Sequence, residues 1–157
     1  MVIATRVIQE KFKLKRTDVT TETDIAISSG EGMQDIWKYK VPVGHTLVFS
    51  PSDTFAAYLE DSTSTECVAG TLIAAEVRDA SEQHYIKPLL NTLRYAQAKS
   101  FQDRDKLVRL DIEPGKQIVA REGDVVVIKG NPLTVTLDAS DSYFELTCNR
   151  IRKSLFG

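Results

Sequence analysis

Residues 116–152, KQIVAREGDVVVIKGNPLTVTLDASDSYFELTCNRIR, consist of apolar runs separated by short turn signals. The last two runs alternate between apolar and polar residues, with the apolar positions at Leu133, Val135, Leu137, Phe144, Leu146 and Cys148. A period of two is typical of a half-buried strand, because successive side chains leave opposite faces of a sheet. The turn signals are Glu122-Gly123-Asp124 and Gly130-Asn131-Pro132, which favour chain reversal. We therefore expect an antiparallel β-meander here.

Short runs of β-forming composition continue on the N-terminal side, at residues 7–15, 36–41, 45–50, 54–59, 71–78 and 107–112. In the first run, lysines alternate with mostly apolar residues, so the lysines are expected on one face of a strand. Lysines on the outer face predict an edge strand, because their charges discourage pairing with strands of other molecules. About nine or ten short strands spaced by turns are typical of a sandwich or barrel. The chain is therefore predicted to be all-β. We expect a jelly-roll-like β-sandwich, with an immunoglobulin-like sandwich as the alternative.

Two segments interrupt the strand pattern. Residues 17–34 are rich in Thr, Ser, Asp and Gly and are predicted to form a long loop or crossing arm, with a short strand at 24–28 as an option. Pro88 is followed by apolar residues at roughly helical spacing, which predicts a short helix within 88–98; a strand is the alternative. We expect one globular domain, with an N-terminal strand and arm at 1–34 and the β-sandwich at 35–157.

The composition is that of an ordinary globular protein, with 42% hydrophobic and 27% charged residues in 157. A chain of this length suits one domain. It contains no apolar run near the roughly 20 residues of a membrane-spanning helix. Its start does not have the pattern of a secretory signal peptide. We therefore expect a protein made in the cytoplasm, without a membrane partner.

The charge is unevenly distributed. Residues 1–16 carry a net +4 and residues 150–157 a net +3, which leaves −9 on the rest of a chain whose total is −2. Both ends also carry apolar residues, although chain ends are usually polar unless they are docked. Such ends could contact a neighbouring copy, another protein or a nucleic acid, or they could be solvated strand faces and a tail docked on its own sandwich. The candidate partner-binding residues are Arg6, Lys11, Lys13, Lys15, Arg16, Arg150, Arg152, Lys153, Leu155 and Phe156.

Residues that could carry catalysis or hold a metal ion are sparse. His45 and His84 lie in different segments, and neither has a second ligand at a spacing typical of a metal site. The motifs for a nucleophile elbow, a phosphate-binding loop and a zinc protease are absent. The clusters DASDS (138–142) and QDRD (102–105) are better explained by Asx-turn capping than by Ca²⁺ binding. Cys67 and Cys148 are expected to be free thiols, with Cys148 in the core. We therefore expect no enzymatic activity, cofactor or metal.

An alternative function is a cupin-like or carbohydrate-binding sandwich module. Trp37, Tyr39, Tyr58 and Tyr85 would line its pocket, since aromatic side chains form good platforms for sugars. The same residues are often found in cores and at their rims.

The segments VPVGHTLVF (41–49), RLDIEPG (109–115) and REGDVVVIKGNPLTVTLDASDSYFEL (121–146) resemble the body of small jelly-roll proteins of tailed-phage virions, particularly capsid decoration or cement proteins. REGDVVVIKG also resembles the second hairpin of cupins, without their metal ligands. The phage resemblance implies a non-enzymatic virion structural protein on the capsid surface. It also implies a homo-oligomer, with a trimer expected and a dimer as the alternative. The major capsid protein or another virion protein would be its partner, and direct nucleic-acid binding is not expected.

Overall fold

The computed structural model describes residues 4–25, 32–65, 67, 71–94, 107–132 and 135–156; for 4–6, 93–94 and 154–156 it describes the backbone alone. The described elements are one short 3₁₀ turn, Arg16–Asp18, and eleven strands. The strands are β1 Ala4–Lys15, β2 Thr21–Glu22, β3 Gln34–Lys40, β4 His45–Phe49, β5 Thr54–Asp61, β6 Leu72–Arg78, β7 Ile86–Arg94, β8 Val108–Arg109, β9 Ile118–Ala120, β10 Val125–Asn131 and β11 Leu137–Phe156.

The strands form two antiparallel sheets that pack as a sandwich. A six-stranded sheet has the order β8-β5-β11-β4-β9, with β1 paired to the other edge of β11. A five-stranded sheet has the order β2-β3-β10-β6-β7. The predicted all-β, jelly-roll-like class is confirmed. No described helix is long and apolar enough to cross a membrane.

The predicted β-meander at residues 116–152 is wrong, although its strands exist. β9 pairs with β4 and β11 belongs to the same sheet, whereas β10 lies in the other sheet between β3 and β6. The chain therefore crosses the sandwich twice in this region. Alternation of apolar residues reports which face of a strand is buried, but it carries no information about which strand lies beside it.

β11 is the strand around which the six-stranded sheet is built. One edge pairs with β1, from Lys15 opposite Glu145 to Ala4 opposite Phe156. The other edge pairs first with β5 and then with β4. The predicted edge strand at residues 7–15 is confirmed, because β1 pairs only with β11 among the described strands. The two ends of the described chain therefore lie side by side.

The core lies between the two sheets. It contains apolar side chains from one face of each terminal strand, β1 and β11. Leu14, Phe144, Leu146 and Cys148 are almost completely buried, as their alternation predicted. From the five-stranded sheet, Trp37 packs on Phe144 with ring centroids 4.8 Å apart. Burial of large side chains such as these contributes roughly 1.5–3 kcal/mol each.

The helix expected after Pro88 is wrong and the alternative of a strand is correct for the residues that the structure describes, because Ile86–Arg94 is a strand; residues 95–98 lie outside them. Among the described strands β7 pairs only with β6, at the edge of the five-stranded sheet, with Pro88 opposite Glu76. Proline has no N–H to donate and is tolerated on sheet edges. Leu89 and Leu90 are both buried, so a kinked strand and a helix give a similar apolar pattern here.

The predicted turn at Gly130-Asn131-Pro132 is wrong in part, since Gly130 and Asn131 belong to β10. A Cβ on Gly130 would lie 2.8 Å from the carbonyl oxygen of Leu72, so glycine is needed for the close approach of β6. The other predicted turn is correct, because Gly123 has a φ of +87° and the N–H of Asp124 bonds to the carbonyl of Arg121.

Two further predictions need adjustment. The strand expected at 107–112 is shorter than predicted, since only β8, Val108–Arg109, pairs with a neighbouring strand. Leu110 and Ile112 are nevertheless buried as expected. The N–H of Leu110 bonds to Asp53 and that of Asp111 bonds to Leu89, so this segment passes from one sheet to the other. Within 17–34 the structure adds β2, which was not predicted. Of the optional strand at 24–28, Ile25 forms a β-bridge to Leu137, and residues 26–28 lie outside the described part.

Candidate functional site

The paired chain ends, β1 with residues 145–156 of β11, contain nearly all of the candidate partner-binding residues and are called the terminal ribbon below. The structure brings the two basic segments together, since Glu10 lies opposite Arg150 and Val7 opposite Lys153. Arg6, Leu155 and Phe156 lie on the ribbon by backbone register, but their side chains are outside the described set. Arg16 lies beyond the ribbon and pairs with Glu22 at 3.3 Å.

One carboxylate in the terminal ribbon serves two arginines. Oε1 of Glu10 accepts hydrogen bonds from Nε and Nη2 of Arg150, at 3.0 and 2.8 Å, and from Nε of Arg152, at 2.9 Å. The hydrogen bond from Arg150 is the main reason that the pKa of Glu10 lies below its usual value. Two guanidinium groups on one carboxylate leave one positive charge in excess. Glu10 contributed to the charge balance of residues 1–16, but its pairing with the arginines was not predictable from the sequence.

The arginines of the terminal ribbon lie on the same strand parity as the core. The guanidinium of Arg150 stacks over the ring of Phe12 at 4.3 Å, which is a favourable cation–π arrangement. The side chain of Arg152 is 41% exposed and, among the described residues, donates only its Nε–H. Its remaining donors are therefore available for a carboxylate from outside the chain.

The lysines of the terminal ribbon lie on its outer face. Lys13 pairs with Glu145 at 3.4 Å, while Lys11 and Lys153 are exposed and make no ion pair with any described residue. Lys15 is held by its backbone, since its N–H donates to Oδ2 of Asp18. The ribbon thus presents cations on both faces, with few carboxylates to neutralise them.

A second charged cluster, which sequence analysis missed, covers the outer face of the five-stranded sheet. Arg78 donates two 2.8 Å hydrogen bonds to the carboxylate of Asp35, one of 2.6 Å to Glu76 and one of 3.0 Å to Glu82. Lys38 adds a 2.9 Å ion pair to Glu82. The members of this Arg78 cluster are Asp35, Lys38, Glu76, Arg78, Glu82 and Lys129.

The Arg78 cluster is balanced and partly buried. The side chains of Arg78 and Glu76 are 13% and 6% exposed. Burial alone would raise the pKa of Glu76, but hydrogen bonds from Lys129 and Arg78 outweigh it and lower that pKa. The bond from Arg78 similarly lowers the pKa of Asp35. The cluster covers Val127, which is fully buried between Lys38 and Glu76 in register.

The opposite end of β11 from the arginines is acidic. The ladder to β5 is interrupted between Asp138 and Tyr143, and Oδ1 of Asp138 caps the irregularity by accepting the N–H groups of Ser140 and Asp141. This Asx capping agrees with the interpretation of DASDS as a backbone-stabilising cluster. Asp103 and Asp105 lie outside the described residues.

The carboxylates at this acidic end have no basic partner within the described ranges. They are Asp24, Glu60, Asp61, Asp138 and Asp141, and none forms an ion pair in the part of the chain that the structure describes. Hydrogen bonds from Thr63 lower the pKa of Asp61, and those from Ser140 lower that of Asp138, so both stay ionised at neutral pH.

The four aromatic residues proposed to line a sugar pocket do not form one. Trp37 and Tyr39 face the core, and Tyr39 lies 6.4 Å from Phe12, centroid to centroid. Tyr58 pairs with Tyr143 across strands, on the other face of the opposite sheet. Tyr85 donates its hydroxyl to Asp124, and burial with this contact raises its pKa to about 12. The alternative of a carbohydrate-binding module therefore has no pocket from these residues.

The remaining candidate reactive groups are also separated. His45 begins β4 and His84 lies in an exposed turn, so the two histidines belong to different segments of the structure as well as of the sequence. Cys67 and Cys148 are buried free thiols, and burial raises the pKa of Cys148 to about 12, so it carries no thiolate at neutral pH. The described residues contain no group of three or more metal-ligating side chains.

Comparison with known proteins identifies the fold. No protein-family model and no curated protein sequence matches the chain. VP17, a capsid protein of bacteriophage P23-77, superposes with a TM-score of 0.59 at 10% identity, covering 96% of this chain and 99% of that chain. In the complex of the two major capsid proteins of that phage, VP16-VP17, a chain superposes with a TM-score of 0.60 at 12% identity, covering 92% and 99%. The resemblance to jelly-roll proteins of phage virions is thus confirmed for the fold.

Proposed function

We propose that this chain is a non-enzymatic structural protein of a virion and forms part of its capsid. The observation that carries the proposal is the extent of the match: one jelly roll accounts for 96% of this chain and 99% of VP17. Such a match leaves little of either chain outside the shared sandwich. Fold similarity alone does not imply function. The second observation in favour of a capsid role is the set of cations on the terminal ribbon that no described carboxylate neutralises.

The shell itself is the role that we favour within the capsid. The neighbours include a complex of two major capsid proteins, so this fold can build a shell directly. A decoration or cement protein on the capsid surface, as the sequence resemblance implied, is the second candidate. It is favoured by the terminal ribbon, whose free cations suit attachment to an acidic surface. In both roles the chain associates with other virion proteins and is located in the virion.

Quantitative mass spectrometry and electron cryomicroscopy of virions from cells that carry this gene test the proposal. We expect the chain in stoichiometric amounts, with its sandwich visible in the shell. A high-salt wash separates the two roles: a decoration protein is released while the shell stays intact, whereas loss of a shell subunit disrupts the shell. Absence of the chain from purified virions would contradict both roles.

A further inference from the structure

We propose that the terminal ribbon of one copy docks on the acidic end of a second copy, so that the chain associates head to tail. This inference deepens the proposed function by naming one partner of the same chain. The two surfaces involved lie at opposite ends of β11. The basic end comprises Lys11, Arg150, Arg152 and Lys153 with Glu10, and the acidic end comprises Asp24, Glu60, Asp61, Asp138 and Asp141.

Distance prevents the two ends from neutralising each other within one molecule. Across the irregularity β11 advances only as far as Glu60 and Tyr58 on β5, and from Tyr143 it continues regularly. At a rise of about 3.4 Å per residue, Asp138 and Arg152 therefore lie roughly 35–40 Å apart along β11. The Debye length at physiological ionic strength is only about 8 Å. Each end therefore keeps its charge and is available to an oppositely charged surface.

The hydrogen-bond donors and acceptors of the two ends match in kind. Arg152 is 41% exposed and has unused guanidinium N–H groups among the described residues, which suit a carboxylate. Asp24 and Asp141 are exposed carboxylates at the other end. A contact between them would be charge-assisted, which makes it stronger than a neutral one.

The acidic end also carries a local cost that a partner would relieve. Glu60 and Asp138 lie directly opposite each other on β5 and β11. Like charges at opposite positions destabilise a sheet. A cation from a second copy, placed between these carboxylates, removes that repulsion, whereas no described residue of the same chain supplies one.

The contact joins two different surfaces, and more than one symmetry satisfies it. Repeated head to tail, it generates rings when the rotation closes and extended arrays when it does not. A two-fold dimer satisfies it twice when the two copies lie antiparallel, because residue i then contacts residue j and j contacts i. The charge distribution thus fits both the expected trimer and the alternative dimer, and it disfavours contacts that join two basic or two acidic ends.

Paired charge reversals of the full chain test the inference. Lys11→Glu/Lys153→Glu changes the basic end from four cations and one carboxylate to two cations and three carboxylates, so that both ends are acidic. Glu60→Lys/Asp141→Lys changes the acidic end from five carboxylates to three carboxylates and two cations, which leaves it nearly neutral beside a basic end that is unchanged. None of these side chains takes part in a described ion pair. Sedimentation velocity at low salt should show association of the wild type that weakens in high salt. Each variant alone should associate at least about tenfold more weakly, since the ends repel in the first variant and attract only weakly in the second. An equimolar mixture should recover association between the two variants as pairs, because the unchanged basic end of the second then meets the unchanged acidic end of the first.

A matched control is Arg109→Glu/Lys87→Glu, which makes the same charge change at exposed positions outside either end, again at side chains that take part in no described ion pair. It should associate like the wild type. Thermal unfolding of all variants shows whether each remains folded. A mixture that stays as monomeric as its components, or a wild type that is monomeric at low salt, would overturn the inference. Because virions are not needed, this result is separate from the test of the proposed function.

Discussion

The Arg78 cluster and the terminal ribbon contain the same kinds of charged side chain and differ in how completely the charges are paired. In the Arg78 cluster three cations meet three carboxylates, and the central guanidinium is 13% exposed. In the ribbon, Arg150 and Arg152 share Glu10, while Lys11 and Lys153 pair with no described carboxylate. Removing one member of a balanced, buried set leaves an uncompensated charge and destabilises the fold, whereas unbalanced, exposed charges contribute little to stability and remain available to a partner.

The largest effect on stability is expected at the centre of the Arg78 cluster. Arg78→Met keeps the aliphatic stem but leaves the carboxylates of Asp35, Glu76 and Glu82 without their shared partner. Breaking a buried ion pair on one side costs about 3–5 kcal/mol, and we expect about 3 kcal/mol here because the cluster is only partly buried. Denaturant unfolding measures the loss. Lys116→Met, at a 72% exposed position, is the control and should change stability by less than about 0.5 kcal/mol.

A somewhat smaller loss is expected where β10 approaches β6. In Gly130→Ala, the new Cβ would lie 2.8 Å from the backbone oxygen of Leu72 and 3.0 Å from Cδ1 of Ile36. The backbone must move, and overpacking of this kind costs about 1–3 kcal/mol. The free energy of unfolding from urea titration reports it. An unchanged midpoint would mean that the sheet accommodates the methyl group.

Acidification should weaken the Arg78 cluster in a predictable direction. The folded-state pKa values of Asp35, Glu76 and Glu82 are lowered, mainly by bonds from Arg78, Lys129 and Lys38. Their contribution is therefore fully present above the unfolded-state pKa values and is lost as pH falls through the folded-state values. We expect stability to decrease below about pH 5.

The pH effect is separated from that of other carboxylates by comparing the wild type with Arg78→Met. The variant should have the flatter profile of unfolding free energy against pH, because its carboxylates no longer have lowered pKa values from Arg78. The loss in acid should be smaller than that caused by Arg78→Met at neutral pH, since protonation neutralises a carboxylate instead of leaving it unpaired. Parallel profiles for the two proteins would show that the cluster is not responsible.

The smallest effect is expected in the terminal ribbon. Lys13→Ala removes an ion pair to Glu145 in which the lysine side chain is 45% exposed. Exposed pairs contribute about 0–1 kcal/mol, so stability should change by less than about 0.5 kcal/mol. Thermal unfolding is sufficient to check this. A loss similar to that of Arg78→Met would remove the distinction between the two regions.

Sequence alone predicted the strands and their buried faces well, because these depend on local periodicity. The apolar parity of β1, ending at Leu14, and that of β11 at Phe144 and Cys148 are both in the core. Strand neighbours were not predictable, since pairing is decided by contacts between distant segments. The β-meander failed for this reason, and the strand at Pro88 was mistaken for a helix because an edge strand with a proline leaves the same local pattern.

The basic ends were also predicted, but their pairing with each other and with Glu10 was not. The Arg78 cluster draws Asp35, Glu76, Glu82 and Lys129 from separate segments, so no spacing in the sequence reveals it. The one sequence feature that pointed to the cluster was the pair Glu76 and Arg78, which are two residues apart in an otherwise apolar run and therefore lie on the same face of the strand. Two opposite charges at that spacing on a buried strand predict an ion pair on the outer face.

Side-by-side unfolding and association measurements on Arg78→Met and Arg152→Met test the distinction most directly. Arg152→Met removes one of two arginines on Glu10, and Arg150 remains to pair with that carboxylate. We predict that Arg152→Met loses less than about 1 kcal/mol of stability but associates more weakly at low salt, whereas Arg78→Met loses about 3 kcal/mol and associates normally while folded. Equal loss of stability in both variants, with unchanged association of Arg152→Met, would contradict the assignment of one cluster to the fold and the other to a partner.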